Sequence, residues 1–230
     1  MDLFTAGNVT VDLSREGELF RVVEGASFAL EAGKVYDLVG PSGSGKSTLL
    51  RACCLMLETV SGCFRLRGKA ASDYAPEEWR KHVCLVPQKP ALVPGTVRQN
   101  LLLPWTLRVR RGESKPCDSD LLSYLKAARL DDVALDRDIS QLSGGQVARV
   151  ALLRSFVTRP AVLLLDEVDA ALDSESSAAI SALTASAVDG ETTCLRIRHR
   201  ATDGLAAATF EVREGKLSMI AQPATKEGRS

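Results

Sequence analysis

Net charge is missing from this chain: 29 Lys and Arg balance 29 Asp and Glu over 230 residues, so nothing in the balance predicts a polyanionic partner such as DNA or RNA. Also absent is any apolar run near the roughly 18 residues needed to span a bilayer, and Met1-Asp2-Leu3-Phe4 begins no signal peptide. If the protein works at a membrane, another chain is expected to anchor it. The six cysteines (Cys53, Cys54, Cys63, Cys84, Cys117, Cys194) lack paired CxxC spacing. That argues against a zinc site or disulfide framework and for reduced thiols in a cytosolic protein. There is no internal repeat. A chain of this length with 45% hydrophobic residues is expected to fold as one compact domain, with or without a subdomain, and to bury on the order of 70% of its unfolded surface.

What is present centres on Gly40-Pro41-Ser42-Gly43-Ser44-Gly45-Lys46-Ser47-Thr48, which follows the apolar run Val35–Val39 and precedes the helix-forming Leu49-Leu50-Arg51-Ala52. A strand that turns through three glycines into a helix aims backbone N–H groups and a helix dipole at one spot, as a triphosphate requires. Lys46 is placed to meet the β- and γ-phosphates and the Ser47 hydroxyl to ligate Mg²⁺. A turn with no ligand is the alternative, and the strand-loop-helix context favours nucleotide. Asp37 fits poorly here: an unpaired carboxylate in a buried strand is costly, and the sequence names no partner for it.

Leu3–Val11 and Leu19–Leu30 read as an opening antiparallel sheet. Beyond the loop come a helix over Thr48–Leu57, a strand over Gly62–Arg67, a short helix from Ala75 with proline in its first turn, and a strand His82–Val86 leading to Gln88. Gln88 can reach a bound metal's water shell or serve only as a loop residue. From Lys89 to Leu142 the chain is Pro-rich and helical, which predicts an inserted subdomain. In it Trp105 either fills a core or meets a partner. Leu142-Ser143-Gly144-Gly145-Gln146 opens a long helix through Val157, and Ser143 is either a plain N-cap or part of a second anion-binding spot.

Ala161–Leu165 is a continuous apolar strand, as found in the middle of a parallel sheet, and it ends in Asp166-Glu167. Ligands of open α/β sheets bind at carboxyl ends of strands. Asp166 is therefore read as a Mg²⁺ holder and Glu167 as the general base for an attacking water; capping without chemistry is the alternative. A helix over Ser174–Val188 follows. Thr192–Arg198 is a strand expected to neighbour the Asp166 strand, and it ends at His199, which either reaches a γ-phosphate or is merely solvated. Phe210–Arg213 and Lys216–Ile220 make a hairpin.

In this order the pieces resemble the nucleotide-binding subunit of an ATP-binding cassette (ABC) transporter, from about Asn8 to about Met219. GPSGSGKST is similar to Walker A, Gln88 to the Q-loop glutamine, residues 142–146 to the LSGGQ signature, and 161–167 to Walker B with its glutamate. Ala171-Leu172-Asp173 is similar to the D-loop and His199 to the switch histidine. The resemblance implies an α/β P-loop NTPase fold: a mostly parallel central sheet, an N-terminal antiparallel β subdomain, a core of 1–88 and 147–230, and a helical subdomain of 89–146.

It also implies ATP and Mg²⁺, with each ATP held between one copy's phosphate loop and Ser143, Gly144, Gly145 and Gln146 of a second copy, facing it head to tail. A separate transmembrane permease would be the other partner and the cytoplasmic face of a membrane the location, with no nucleic acid. Gln99–Trp105 resembles a stretch of the single-domain subunits associated with iron export or metal resistance. Three positions depart from the family: Val11 stands where an adenine-stacking aromatic is usual, with Phe20 the nearest substitute; Asp169 adds an acidic group after Glu167; and Arg200 follows His199. The competing readings are a soluble ABC ATPase acting on nucleic acid or ribosomes and a small P-loop kinase, the latter leaving LSGGQ without a purpose.

Overall fold

The computed structural model describes residues 2–89, 91–170, 172–198 and 203–221. Two 14-residue strands, β1 (Asp2–Arg15) and β2 (Glu18–Glu31), open the chain as a long hairpin. Its tip, Glu16-Gly17, has positive φ at both residues, the conformation that two-residue hairpin turns demand. β3 (Val35–Val39) feeds the glycine loop and α1 (Lys46–Cys53). β4 (Ser61–Leu66) and the short β5 (Lys69–Ala70) complete an antiparallel sheet in the order β2-β1-β4-β5.

α2 (Pro76–His82) carries its proline at the first helical position, where the missing N–H costs nothing. β6 (Val83–Val86) follows it. Residues 91–142 then contribute α3 (Val97–Leu102), α4 (Asp118–Ala127) and three 3₁₀ turns, and no strand of either sheet among the described residues. The chain returns through α5 (Gly144–Phe156), β7 (Val162–Asp166), α6 (Ser174–Ala187), β8 (Thr193–Ile197), β9 (Ala206–Arg213) and β10 (Lys216–Ala221).

The second sheet runs β10-β9-β3-β8-β7-β6. Its ladders are parallel except for the β9–β10 hairpin at one edge. The expected architecture of a mostly parallel sheet beside an antiparallel one is therefore present. Alternation along the strands divides the interior in two. Tyr36, Leu38, Leu164 and Leu195 meet the antiparallel sheet, α1 and α2, in a core that includes Phe4, Phe64 and Trp79. Val35, Leu163, Leu165 and Cys194 face a second core built with α3 to α6.

α1 is shorter than the helix expected over Thr48–Leu57. It ends at Cys53, and Leu55 turns to a φ of 55°. The C-terminal carbonyls it frees are taken by α2: Trp79 Nε1 donates to Cys53 O (2.8 Å), and Arg80 donates to Cys54 O (3.2 Å) and Leu55 O (2.7 Å). Cys53, Cys54 and Cys194 are buried, whereas Cys63 and Cys117 are exposed. Burial pushes the Cys54 thiol up to about 11 and that of Cys194 up to about 12, which makes them inert packing groups. Among the described residues no helix is long and apolar enough to cross a membrane.

Candidate functional site

The loop between β3 and α1 is shaped by its glycines. Gly40 has a φ of 141°, and a Cβ there would lie 2.1 Å from Val212 O of β9. Gly45 has a φ of 106°, and its Cβ would lie 2.6 Å from Val22 O of β2. No other residue type lets the loop pass so close to two neighbouring backbones. Gly43, at a φ of 77°, has no atom within 4 Å of its Cβ position, so its face of the loop is open. Pro41 and Ser42 are exposed beside it, and Thr48 is half-buried in the first turn of α1.

Lys46 is buried, with Nζ donating to the loop's own carbonyls at Gly40 (2.9 Å) and Pro41 (2.8 Å). The buried Ser44 Oγ has no hydrogen-bond partner among the described residues, a polar group that ligand oxygens would satisfy. α1 starts at this point with no acidic residue in its first turn and no side-chain cap, which leaves its N-terminal donors to an anion.

The second half of the site comes from β7, buried along its whole length. Its last residue, Asp166, is 4% exposed and accepts from Ser47 Oγ at 2.8 Å, across 119 residues of sequence. Glu167 leaves the strand with a φ of 51°, a strained conformation for a non-glycine residue. Its Oε2 accepts from Gln88 Nε2 at 2.9 Å. Two side-chain contacts, Ser47–Asp166 and Gln88–Glu167, thus meet at two consecutive residues of the chain. The hydroxyl and carboxylate of Ser47 and Asp166 are hard oxygen donors, the chemistry a Mg²⁺ ion selects when phosphates supply the rest of its shell. Asp169 does not add to this acidic group as its position suggested. It is buried and accepts from Ser177 Oγ of α6 at 3.0 Å.

The signature segment lies apart. Ser143 caps α5 in a capping box: its Oγ accepts from Gln146 N (3.3 Å) and Gln146 Oε1 accepts from Ser143 N (3.0 Å). Gln146 Nε2 reaches Asp132 (3.1 Å). A Cβ on Gly145 would lie 2.8 Å from Ser176 Oγ, while Gly144 has open space. Asp173 caps α6, accepting from the backbone and hydroxyl of Ser176, which hold its carboxyl below the usual range. The start of α5 therefore lies against the first turn of α6, which Asp173 caps. No hydrogen bond among the described residues joins 142–146 to the phosphate loop of the same chain. Ala171 and His199 lie outside the described residues. β8 does pair with β7 as expected, Ile197 standing opposite Asp166.

Val11 is fully buried, so no base can stack on it. Phe20 is 43% exposed and stands across the hairpin from Leu13, on the strand that touches Gly45 through Val22 and Val23. Trp105 is half-buried: it packs against the helical cluster, donates Nε1 to Ser114 O (3.1 Å) and lies under Arg110 at 5.7 Å. Asp37 has a partner after all, Arg196 of β8, whose Nε lies 2.6 Å from its carboxylate. A lone Arg in the apolar Thr193–Ile197 was the available signal.

The family model described as "ABC transporter" matches residues 23–170. Among curated proteins, the chain is 37% identical over 153 residues to the "Probable iron export ATP-binding protein FetA" of Escherichia coli (strain K12), covering 66% of each chain. It is 36% identical over 189 residues to the "ABC multidrug transporter MDR2" of Trichophyton equinum, covering 78% of this chain and 14% of that one. A solved structure, that of a bacterial Atm1-family ABC exporter with ATP bound, superposes with a TM-score of 0.79 at 27% identity, over 94% of this chain and 38% of the exporter's.

Proposed function

Since the chain belongs to the ABC transporter family, we propose that it is the ATP-binding and ATP-hydrolysing subunit that powers a membrane exporter. The observation that carries this reading is the 2.8 Å contact of Ser47 with Asp166, which closes the floor of a glycine-lined cradle whose Ser44 hydroxyl lacks a partner among the described residues. In the proposed reaction Lys46 exchanges the Gly40 and Pro41 carbonyls for phosphate oxygens, and Gly43, Ser44, Gly45 and Thr48 line the β-phosphate. Mg²⁺, held by Ser47 and Asp166 with Gln88 at its water shell, would neutralise charge developing on the phosphoryl oxygens. Glu167, oriented by Gln88, takes the proton of the attacking water; His199 is assigned to the γ-phosphate.

Leu13 and Phe20, on the hairpin that abuts Gly45, are the proposed platform for the base. Among the described residues no hydrogen bond joins Ser143, Gly144 or Gly145 to their own phosphate loop, which supports their acting on a nucleotide bound by a second copy, with Gln146 and Asp173 bracing the helix ends. Two such copies form a symmetric, ligand-dependent dimer. For the permease, a groove of about 340 Å³ between α2 and residues 104–110, with Leu107 and Val109 in its wall and Arg80 and Arg154 on it, is a suitable seat on the cytoplasmic face of a membrane. The likeness to an iron export protein supports a metal as cargo.

Purified chain should hydrolyse ATP in the presence of Mg²⁺. Lys46→Ala loses a charge-assisted contact worth about 1.5–3 kcal/mol, which corresponds to roughly 10- to 150-fold in nucleotide affinity. Equal affinity in the variant would contradict the phosphate-loop assignment.

A further inference from the structure

Arg196 is the next-to-last residue of β8, with Asp37 of β3 opposite it on one side and Leu165 of β7 on the other. β3 enters the phosphate loop and β7 ends in Asp166. These two strands do not touch each other; β8 alone separates and joins them. Every other residue of β8 packs as an ordinary buried strand residue. The guanidinium, 5% exposed, instead donates to Asp37 Oδ1 (2.6 Å) and to both oxygens of Asp203 (2.7 and 3.0 Å). Arg198 pairs with Asp203 as well. Asp203 also accepts from Leu205 N (3.2 Å) and from the hydroxyl of Ser181 on α6. Among the described residues two acids and two bases, together neutral, form one network on the α6 side of the sheet.

Such a network is a poor way to gain stability: desolvation of the charges offsets their attraction, and apolar side chains of similar volume serve as well or better. What it does add is position, because a bidentate guanidinium fixes its partners in angle as well as distance. We infer that Arg196 is a positioning residue for ATP hydrolysis: it ties β3 to β8, and so sets where the phosphate loop stands relative to Asp166, the last residue of β7, and Glu167 just beyond it. The Ser47–Asp166 contact of 2.8 Å depends on that register, and a displacement of about 1 Å at a reacting centre is enough to cost on the order of 10²-fold in rate. The inference rests on the ATPase reading of the site.

The test is the double variant Asp37→Val/Arg196→Leu in the full chain, which removes one charge of each sign and leaves Asp203 paired with Arg198. Melting midpoint, affinity for ADP, and kcat and KM for Mg²⁺-dependent ATP hydrolysis are measured beside the parent. The expected result is a midpoint equal to or above the parent's, ADP affinity within about threefold, and kcat lowered 10- to 100-fold with KM little changed. A folded variant with parental kcat overturns the inference. Should the double variant fail to fold, Arg196→Lys keeps the charge and loses the fork: a parental midpoint with kcat reduced at least fivefold supports positioning, and a midpoint and activity that fall together assign the network to stability and overturn it. Absence of turnover by the parent itself would instead refute the ATPase reading.

Discussion

Gly40→Ala and Gly43→Ala are the same substitution three residues apart in one loop, and the structure separates them sharply. At Gly40 the new methyl meets Val212 O at 2.1 Å, a backbone atom of the adjacent strand β9 that no rotamer can move away. The residue also keeps a φ of 141° that alanine resists. Backbone strain of about 1–3 kcal/mol adds to overpacking of about 1–3 kcal/mol. In a domain of this size each kcal/mol lowers the melting midpoint by about 2–4 °C, so Gly40→Ala should melt roughly 4–24 °C below the parent. Gly43→Ala has the strain alone, since nothing lies within 4 Å, and its methyl projects into the open face of the loop. It should melt closer to the parent yet bind ADP more weakly. Differential scanning calorimetry and ADP titration of both variants read the two effects separately. Equal midpoints for the two would refute the close approach of the loop to β9 and the argument built on it.

Phe20→Ala should weaken ATP two- to tenfold, the value of an aromatic stack of about 0.5–1.5 kcal/mol, and leave inorganic pyrophosphate binding unchanged; an equal loss for both ligands would deny Phe20 the base. Burial alone would raise the Asp203 carboxyl, but the Arg196 hydrogen bonds, the Leu205 N–H and the Arg196 charge carry it well below the ordinary carboxylate range. A depressed folded value means the stability is fully present above the unfolded pKa near 3.9 and drains as pH falls through the folded one. Asp203→Asn should therefore flatten the loss of stability below pH ~4 in urea melts, and an acid limb identical to the parent's would contradict the pairing.

The glycine loop was legible because its constraint is local: three glycines between an apolar run and a helix former leave few conformations, and Lys46 and Ser47 follow from helical geometry. The same holds for the hairpin tips at Glu16-Gly17 and Glu214-Gly215, both with positive φ. Asp37 and Arg196 were opaque for the opposite reason. They sit 159 residues apart, and only the insertion of β8 between β3 and β7 brings them face to face, an ordering that strand periodicity does not encode. The face that Val11 takes was not legible because alternation assigns a face only when register is known. The bulge around Val22, between the Val11–Val23 and Asp12–Arg21 pairs, shifts which residues of the hairpin emerge at its edge. Asp169 was read from its nearness in sequence to Glu167, but the turn after β7 carries it against α6 instead, where Ser177 takes its carboxylate.

The central claim is that two copies complete each other's site, and a structure of Glu167→Gln with Mg²⁺ and ATP tests it most directly. Removing the proposed general base should trap the bound state, with the Ser143 hydroxyl of one copy about 2.7 Å from the γ-phosphate held by the phosphate loop of the other. A nucleotide-bound monomer, or a dimer in which Ser143 faces solvent in both copies, would contradict it.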